Sequence, residues 1–514
     1  MGAGAVANSG STSGYAHLID PNRKWHNNKR LIALNAWILL LLITSSTNGY
    51  DGSMMNGLQS VDQWRIYFNN PSGGKLGLLN AIQNIGALAA YPFAPYISDG
   101  LGRRTSIFLG ATIILPSQSV GMFIGARFLI GFGLTFAASA APLLVTELAY
   151  PTARASLTSA YNSLWYSGAI VAAWTTFGTF RIANTWSWRI PSALQGLPSV
   201  IQVALIWFCP ESPRWLVSKG RNEQALETLA YYHADGNRED PLVKYEYEEI
   251  RAAIDLDREV AAKIGWKTLF STRGNLKRVR IILALAFFSQ WSGNGLVSYY
   301  LNRVFNTVGI TSELHQLLIN GILQIWNLFW ALAASSMVER IGRRVLFITS
   351  TIGMICFFIM QTVCSAIYAQ NNNKGAGYAV IAAIFLFYMF YDIAYSPLIV
   401  TYTVEILPYQ LRAKGFVLFN FAISLSLIFN QYVNPIALDA IGWKYYIVYI
   451  CWLAFELVFV YFFVIETKNR TLEETAALFD GEEVANQLAG TAGTAAVDEK
   501  DYGSSSHDEK ISKA

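Results

Sequence analysis

Charged residues are scarce in this chain. Of its 514 residues, 14% are charged and 53% are hydrophobic, and the mean hydropathy is +0.32. Soluble domains carry about 25% charged residues, so the composition excludes the ordinary soluble class. The net charge of +4 is carried by segments between apolar runs. It therefore indicates contact with anionic lipid headgroups, and no nucleic-acid partner is implied.

Cysteine and histidine are also few, and none is spaced as a metal ligand or a disulfide partner. The four cysteines lie in or beside apolar runs, where we expect them to fill space. All five histidines lie outside the apolar runs, which argues against a histidine relay in the membrane. We expect no metal, no cofactor and no enzymatic centre.

The first thirty residues lack the apolar core of a signal peptide, so entry into the membrane has to use the first apolar run. Eleven clear runs and one doubtful run approach the ~20 residues that a spanning helix needs. The chain is therefore predicted to be an all-α membrane protein of twelve spans in two six-helix halves. Lysine and arginine fall at alternate ends of the spans, which predicts cytoplasmic termini in a multi-pass protein, and we expect the plasma membrane.

Five segments follow from this pattern. They are a disordered cytoplasmic N-terminus at 1–30, a first transmembrane half at 31–209, a cytoplasmic helical linker at 210–277, a second transmembrane half at 278–466, and a cytoplasmic tail at 467–514 that is disordered from about residue 480.

One charged cluster occurs twice. DGLGRR at 99–104 recurs as ERIGRR at 339–344, and each copy is followed by a glutamate with an arginine seven residues later. The two sets are Asp99, Arg103, Arg104, Glu147 and Arg154, and then Glu339, Arg343, Arg344, Glu405 and Arg412. Such a repeat predicts a duplicated helix bundle around a central site, the organisation of a transporter. We expect ion pairs between the halves that close the cytoplasmic side; surface pairs contributing ~0 to 1 kcal/mol each are the alternative.

The first half is shorter than the second. From Asp99 to Glu147 is 48 residues, whereas from Glu339 to Glu405 is 66. The apolar run from Ile107 ends before Pro116, and its nine residues cover about 14 Å of a hydrocarbon core about 30 Å thick. Either a short third span is natural, or a piece has been lost, for example through a wrongly predicted splice. The second is favoured because half a span leaves polar backbone in lipid, and sequencing the transcript across 110–120 tests it.

Asp51 lies at the end of the first apolar run, where an ionised carboxylate is costly. Arg127 is the only basic residue between positions 120 and 148, which makes it the expected partner. A carboxylate that alternates between an arginine and a proton can act as a proton switch. The alternative is a solvated aspartate that caps the extracellular end of the helix.

Four amide side chains indicate a neutral, hydroxyl-rich ligand. Gln290 and Asn294 lie on one face of the seventh span, and Asn162 and Asn327 lie on the fifth and eighth spans. Amides both donate and accept hydrogen bonds, which suits a sugar better than a phosphate or a carboxylate. Hydrogen bonds between helices are the alternative role.

Several motifs together resemble the sugar porter family of the major facilitator superfamily. They are GYD at 49–51, DGLGRR at 99–104, RFLIGFG at 127–133, PESPRWL at 210–216, QWSGNGLVSYY at 290–300, VERIGRR at 338–344, VEILPYQLRAKG at 404–415 and ETKNRTLEE at 466–474. The match runs from about residue 31 to residue 478, and ELAYP, QWSGNG and NQYVNP resemble more narrowly the fungal lactose permease and cellodextrin transporter branch.

The resemblance implies the major facilitator fold and alternating access. It also implies proton coupling at Asp51 and Arg127, sugar contacts at Gln290 and Asn327, and an extracellular gate at Tyr299 and Tyr300. Val400 stands where the family has a tryptophan, which widens the site and suits a disaccharide such as lactose or cellobiose, with a hexose as the alternative. We expect a sugar:proton symporter; the rivals are a proton-independent facilitator and a non-transporting sugar sensor.

Overall fold

The computed structural model describes residue 18 and residues 25–112, 120–263, 266–407, 409–468, 475 and 478–480. These residues form helices and no strands. The α-helices are, in chain order, α1 (Lys29–Leu58), α2 (Asp62–Tyr67), α3 (Gly73–Ala90), α4 (Ala94–Leu101), α5 (Arg103–Ala111), α6 (Val120–Leu148), α7 (Arg154–Thr179), α8 (Trp186–Leu194), α9 (Leu197–Leu205), α10 (Pro213–Ser218), α11 (Asn222–His233), α12 (Pro241–Lys263), α13 (Arg273–Trp291), α14 (Asn294–Thr307), α15 (Glu313–Ile341), α16 (Arg343–Asn371), α17 (Lys374–Ala394), α18 (Leu398–Ile406), α19 (Tyr409–Ile441) and α20 (Tyr445–Phe463).

The predicted all-α architecture is confirmed, and the helices are consistent with twelve spans. By length and composition, eight stretches of the described residues could cross a membrane, and one of them, Lys414–Phe463, holds most of α19 together with α20. Other spans are broken into two helices near a proline, which has no N–H to donate. Pro92 precedes α4, Pro198 lies in the first turn of α9, and Pro397 precedes α18.

Each half packs tightly within itself, and the halves meet along several pairs of helices. In the first half α1 runs along α7, and in the second half α16 runs along α17. The two halves touch where α3 packs on α19, where α7 packs on α15 and where α1 packs on α14. These contacts bring the middle of the bundle together around a central space.

α5, the helix at the predicted third span, is short. α5 has nine residues, which rise about 14 Å. The next helix, α6, begins at Val120. Residues 113–119, including Pro116, lie outside the described part of the chain. The lost piece remains a hypothesis.

The helices α10, α11 and α12 lie at one end of the bundle, which we call the linker end; the opposite end is the distal end. His233 of α11 is buried against α12 and α6: its Nδ1 lies 2.6 Å from Oε2 of Glu246, and its Nε2 lies 3.2 Å from the carbonyl of Leu148. After α20 the chain returns to the second half, where Asp480 pairs with Arg278 at 2.7 Å. Of the segments predicted to be disordered, 1–30 and the tail from about residue 480, residues 1–17, 19–24 and 481–514 lie outside the described part of the chain. Trp25–Asn27 form a short 3-10 helix and α1 begins at Lys29, so the end of the predicted N-terminal segment is helical.

Candidate functional site

A cavity of about 450 Å³ lies between the two halves. Its polar lining comprises Asn48, Gln83, Asn84, Ser139, Asn420 and Ser424. It extends towards the linker end, where Tyr161 near the start of α7 and Arg412 near the start of α19 line it. Towards the distal end the halves are in contact, since Asn84 donates to Oε1 of Gln431 at 2.7 Å. The cavity is therefore closed distally and approaches the linker end.

Asp51 and Arg127 are both buried, with 1% and 5% of their surface exposed. They are joined by a third residue, Gln83 of α3. Nη2 of Arg127 donates to Oε1 of Gln83 at 2.8 Å, and Nε2 of Gln83 donates to Oδ2 of Asp51 at 3.4 Å. The predicted partnership thus takes the form of an amide bridge. The sequence analysis missed Gln83, because a lone glutamine in an apolar run is also typical of simple helix packing.

Gln83 connects this pair to the central cavity. Its side chain lines that cavity, whereas Asp51 and Arg127 line a separate small cavity of about 70 Å³. The small cavity is bounded by Gly110 at the end of α5 and by the polar side chains of Ser192 and Gln195. One water takes about 30 Å³ of liquid volume, so this space is large enough for a water beside the carboxylate.

The predicted sugar-contacting amides of the second half lie around the break between α13 and α14. Asn294 is buried. Its Nδ2 donates to the carbonyl of Ser289 and to the hydroxyl of Tyr391, both at 3.1 Å. Tyr388 and Tyr391 of α17 donate to the carbonyls of Asn294 and Ser289 at 2.7 and 2.6 Å. These two tyrosines, which sequence reasoning missed, hold the broken helix in position.

Asn294 and Asn327 each keep a buried amide oxygen without a hydrogen-bonding partner among the described residues. Such an oxygen could accept a hydrogen bond from a sugar hydroxyl. Gln290 donates to Oγ of Ser289 at 3.2 Å. None of these three amides lines the central cavity in this conformation. Asn162 lies on α7, but its side chain falls outside the described part of the chain.

A second buried carboxylate joins the halves. The hydroxyl of Tyr166 on α7 donates to Oδ1 of Asp392 on α17 at 2.6 Å, and Ser396 donates to the same oxygen at 2.6 Å. Asp392 is fully buried, and its Oδ2 has no partner among the described residues. The contact therefore crosses between the halves at a carboxylate to which the sequence assigned no role.

Tyr299 and Tyr300 lie at the distal closure. Gln59, which follows α1 directly, donates to the carbonyl of Tyr299 at 2.7 Å, and this bond links the two halves. Tyr300 is fully buried, and its hydroxyl donates to the carbonyl of Gln431. Tyr299 thus takes part in a contact between the halves at the distal end, whereas the contact of Tyr300 lies within the second half. Their role as an extracellular gate stays a prediction.

The repeated cluster of the first half is built around Arg103. Its guanidinium lies 2.5 Å from Oδ1 of Asp99 and 3.5 Å from Oε2 of Glu147. The backbone N–H groups of Arg103 and Arg104 donate to the carboxylate of Glu211 at 3.2 Å each. Glu211 therefore satisfies free amides at the start of α5, as a helix cap does. Burial raises the pKa of Glu211.

The second half repeats this arrangement with Arg343. Its Nη2 lies 2.9 Å from Oε1 of Glu405. Glu466 accepts from the N–H groups of Arg343 and Arg344 at 2.9 and 3.0 Å, and so caps α16. Burial opposes the ionisation of Glu466, but these and neighbouring backbone N–H donors hold its pKa below the ordinary value.

Glycine is required at the start of both capped helices. Gly102 and Gly342 have φ of +106° and +105°, a region that other residues rarely adopt. A Cβ at Gly102 would lie 2.5 Å from the Glu211 carboxylate, and one at Gly342 would lie 2.8 Å from the Glu466 carboxylate. The two halves thus share one device of a glycine, two arginines and a distant glutamate.

The remaining charged residues have different surroundings. Arg154 pairs with Glu246 of α12 at 3.3 Å and so contacts the linker. Arg412 lines the central cavity. The side chain of Glu339 lies outside the described part of the chain.

The observed pairing differs from the expected pairing between halves. Arg103 pairs with Glu147 inside the first half, and Arg343 pairs with Glu405 inside the second. The cavity that separates the linker ends of the halves accounts for this difference. A role of these groups as a gate stays a prediction.

Among the described residues there is no group of three or more histidine, cysteine, aspartate or glutamate side chains placed to hold a metal ion.

The chain is similar to known transporters over most of its length. Residues 37–479 match the family model described as "Sugar (and other) transporter". The chain is 27% identical over 457 residues to a high-affinity glucose transporter of Kluyveromyces lactis, covering 83% of this chain and 81% of the relative. It is 29% identical over 459 residues to the MFS-type transporter oryC of Aspergillus oryzae, covering 86% and 84%.

Solved structures share the same fold. The inward-open conformation of the xylose transporter XylE from E. coli superposes with a TM-score of 0.72 at 22% identity, covering 87% of this chain and 100% of that one. The proton:xylose symporter XylE bound to 6-bromo-6-deoxy-D-glucose gives a TM-score of 0.68 at 24% identity, covering 87% and 99%. The major facilitator fold is thereby confirmed, and the narrower lactose permease and cellodextrin branch stays a prediction.

Proposed function

Because the chain belongs to the sugar transporter family of the major facilitator superfamily, we propose that it carries a sugar together with a proton by alternating access. The observation that carries the proposal is the bridge from Asp51 through Gln83 to Arg127. Burying a carboxylate in a membrane helix costs free energy, so its presence there indicates a function. This one lies beside the cavity that the two halves enclose.

The bridge responds to protonation. Gln83 donates to Asp51, and that hydrogen bond favours the ionised carboxylate. When Asp51 takes up a proton, the charge that holds the amide is lost, while Arg127 keeps its contact with the other end of Gln83. Because Gln83 also lines the central cavity, the protonation state of Asp51 can alter the surface offered to the sugar.

The cycle begins with the distal end open to the outside. Asp51 takes up an external proton, and the sugar binds the amides Asn294 and Asn327, whose oxygens have no hydrogen-bonding partner in the described part of the chain. The distal contacts between the halves through Gln59 and Asn84 then form, and the cavity opens at the linker end. We assign the linker end to the cytoplasm, because arginines and lysines cluster there. This conformation corresponds to the inward-facing stage.

The substrate is proposed to be a disaccharide or a hexose. A cavity of about 450 Å³ falls within the roughly 300–1,000 Å³ range of small-molecule sites. Val400, where the family has a tryptophan, lines it and leaves room for a second sugar ring. The relatives named for glucose support the hexose alternative.

Counterflow of labelled sugar in liposomes that contain the purified full-length chain tests the proposal without a proton gradient. Glucose, xylose, lactose and cellobiose form the panel. We expect exchange of at least one of them, competed by the unlabelled form. Folded protein that exchanges none of the four would contradict sugar transport and favour a sensor.

A further inference from the structure

The distal helix of the seventh span is bent at Tyr300. Its backbone there has φ −139° and ψ 29°, which is not helical, although the residues on either side continue α14. An α-helix joins each N–H to the carbonyl four residues earlier, so the turn around Tyr300 would be closed by the N–H of Leu301 and the carbonyl of Val297. All three residues are almost completely buried. Any backbone group left unpaired there would be costly.

A side chain from the other half engages both of these groups. Oδ1 of Asn56 on α1 accepts from the N–H of Leu301 at 3.1 Å, and Nδ2 of Asn56 donates to the carbonyl of Val297 at 3.3 Å. The amide thus bonds to the donor and the acceptor that a regular helix would join to each other. Only 3% of the surface of Asn56 is exposed, so water does not compete for these bonds.

Two further contacts fix the same region. Nδ2 of Asn56 also donates to Oδ1 of Asn320 on α15 at 3.2 Å. Gln59, the residue after α1, donates to the carbonyl of Tyr299 at 2.7 Å. The end of α1 therefore holds backbone groups on both sides of the bend. These contacts join the first half to the second at the distal end.

From this geometry we propose that Asn56 is a positioning residue that couples closure of the distal end to the bend in α14. With the distal end closed, the amide takes the place of the helical hydrogen bond between Leu301 and Val297. When α1 withdraws, those two groups can bond to each other and the turn becomes regular. Hydrogen bonding is thus kept in both states, which lets the gate move without leaving buried groups unpaired.

The inference rests on the proposed alternating access, but its test needs neither sugar nor a proton gradient. Ser60, which is buried at the distal closure, is replaced by cysteine in the full-length chain from which the four native cysteines have been removed. The rate at which a membrane-impermeant maleimide modifies this cysteine then measures opening of the distal end. A chain that carries no sugar would still give this signal, so the two proposals fail separately.

Asn56→Ala is expected to raise the modification rate by about tenfold, which corresponds to ~1.4 kcal/mol. Hydrogen exchange of the peptide 294–307 should change at the same time. Gln202→Ala is the matched control, because Gln202 is a buried amide that donates to Leu40 and Thr44 of α1 within the first half. It should change the modification rate by less than about twofold.

Asn56→Asp covers the case in which truncation prevents folding. It keeps the volume and the acceptor for Leu301 but loses both donations, so it should also raise the modification rate. An unchanged rate in the folded Asn56 variants, or an equal rise in Gln202→Ala, would overturn the proposal.

Discussion

Arg127 is joined to Asp51 through an amide: it donates to Gln83 at 2.8 Å, and Gln83 donates onward to the carboxylate at 3.4 Å. Because the link is the neutral amide of Gln83, protonation of Asp51 can break it without moving Asp51 away from Arg127. The amide also faces the central cavity. Gln83 is therefore where sugar occupancy and proton occupancy can influence each other.

Replacing Gln83 by leucine should impair proton-driven uptake. The substitution keeps the volume but leaves Asp51 and Arg127 without their shared partner, which costs about 1 to 3 kcal/mol and so lowers uptake by roughly 5- to 150-fold. The measurement compares gradient-driven uptake with counterflow. Asn84→Leu is the control, since Asn84 lines the same cavity but contacts Gln431. An unchanged ratio of the two rates in Gln83→Leu would contradict a coupling role.

Glu466 should make the free energy of unfolding depend on pH in the acidic range. Its folded-state pKa is lowered, so its contribution is present above the unfolded value of about 4.3 and is lost as the pH falls through the folded value. Thermal unfolding in detergent should therefore show stability falling at low pH. Glu466→Gln should remove that part of the pH dependence and cost about 1 kcal/mol at neutral pH, because a capping carboxylate is lost. A parallel pH profile in the variant would refute this.

Helix α7 should tolerate no side chain at Gly168. A Cβ there would lie 1.7 Å from the carbonyl oxygen of Ser46, so α1 and α7 would have to separate. Gly168→Ala is expected to cost about 1 to 3 kcal/mol and to lower the unfolding temperature. Gly178→Ala on the same helix provides the comparison, since nothing lies within 4 Å of its Cβ position. If the two variants are equally stable, α1 and α7 do not approach each other as closely at Gly168 as described.

Removing the carboxylate of Glu405 should slow turnover. Oε1 of Glu405 lies 2.9 Å from Nη2 of Arg343 and fixes the position of this guanidinium. Without the carboxylate, the guanidinium can change position when the linker ends of the halves approach each other. We expect Glu405→Gln to lower the maximal counterflow rate by about tenfold, with little change in half-saturation, because the sugar amides are untouched. Glu223→Gln, at an exposed pair with Arg238, should change little. A shift confined to half-saturation would argue against a gate.

The sequence predicts the parts of this molecule that repeat or that stand out chemically. The apolar runs and the two GRR motifs are enough to predict the halves, and Asp51 and Arg127 stand out as rare charges in apolar segments. The short α5 also follows from spacing, because the matched motifs provide an internal ruler. In each case the signal lies within one helix or in the distance along the chain between two copies of a motif.

Contacts between helices that are distant in the sequence could not be predicted from such signals. Glu211 and Glu466 lie more than a hundred residues after the arginines whose amides they cap. Gln83 and Asn56 are single amides, and only tertiary packing brings each of them to its partners. The ion pairs of Arg103 and Arg343 also depend on tertiary structure: the cavity separates the linker ends of the halves, and each arginine therefore pairs within its own half.

Proton movement driven by sugar tests the central claim most directly. With the full-length chain in liposomes and a sugar that passes the counterflow test, addition of that sugar should make the weakly buffered external medium alkaline. Asp51→Asn should abolish this pH change while counterflow of the same sugar continues. Sugar-driven alkalinisation that persists in Asp51→Asn, or that is absent in the unmodified chain while it exchanges sugar, would contradict proton coupling at Asp51.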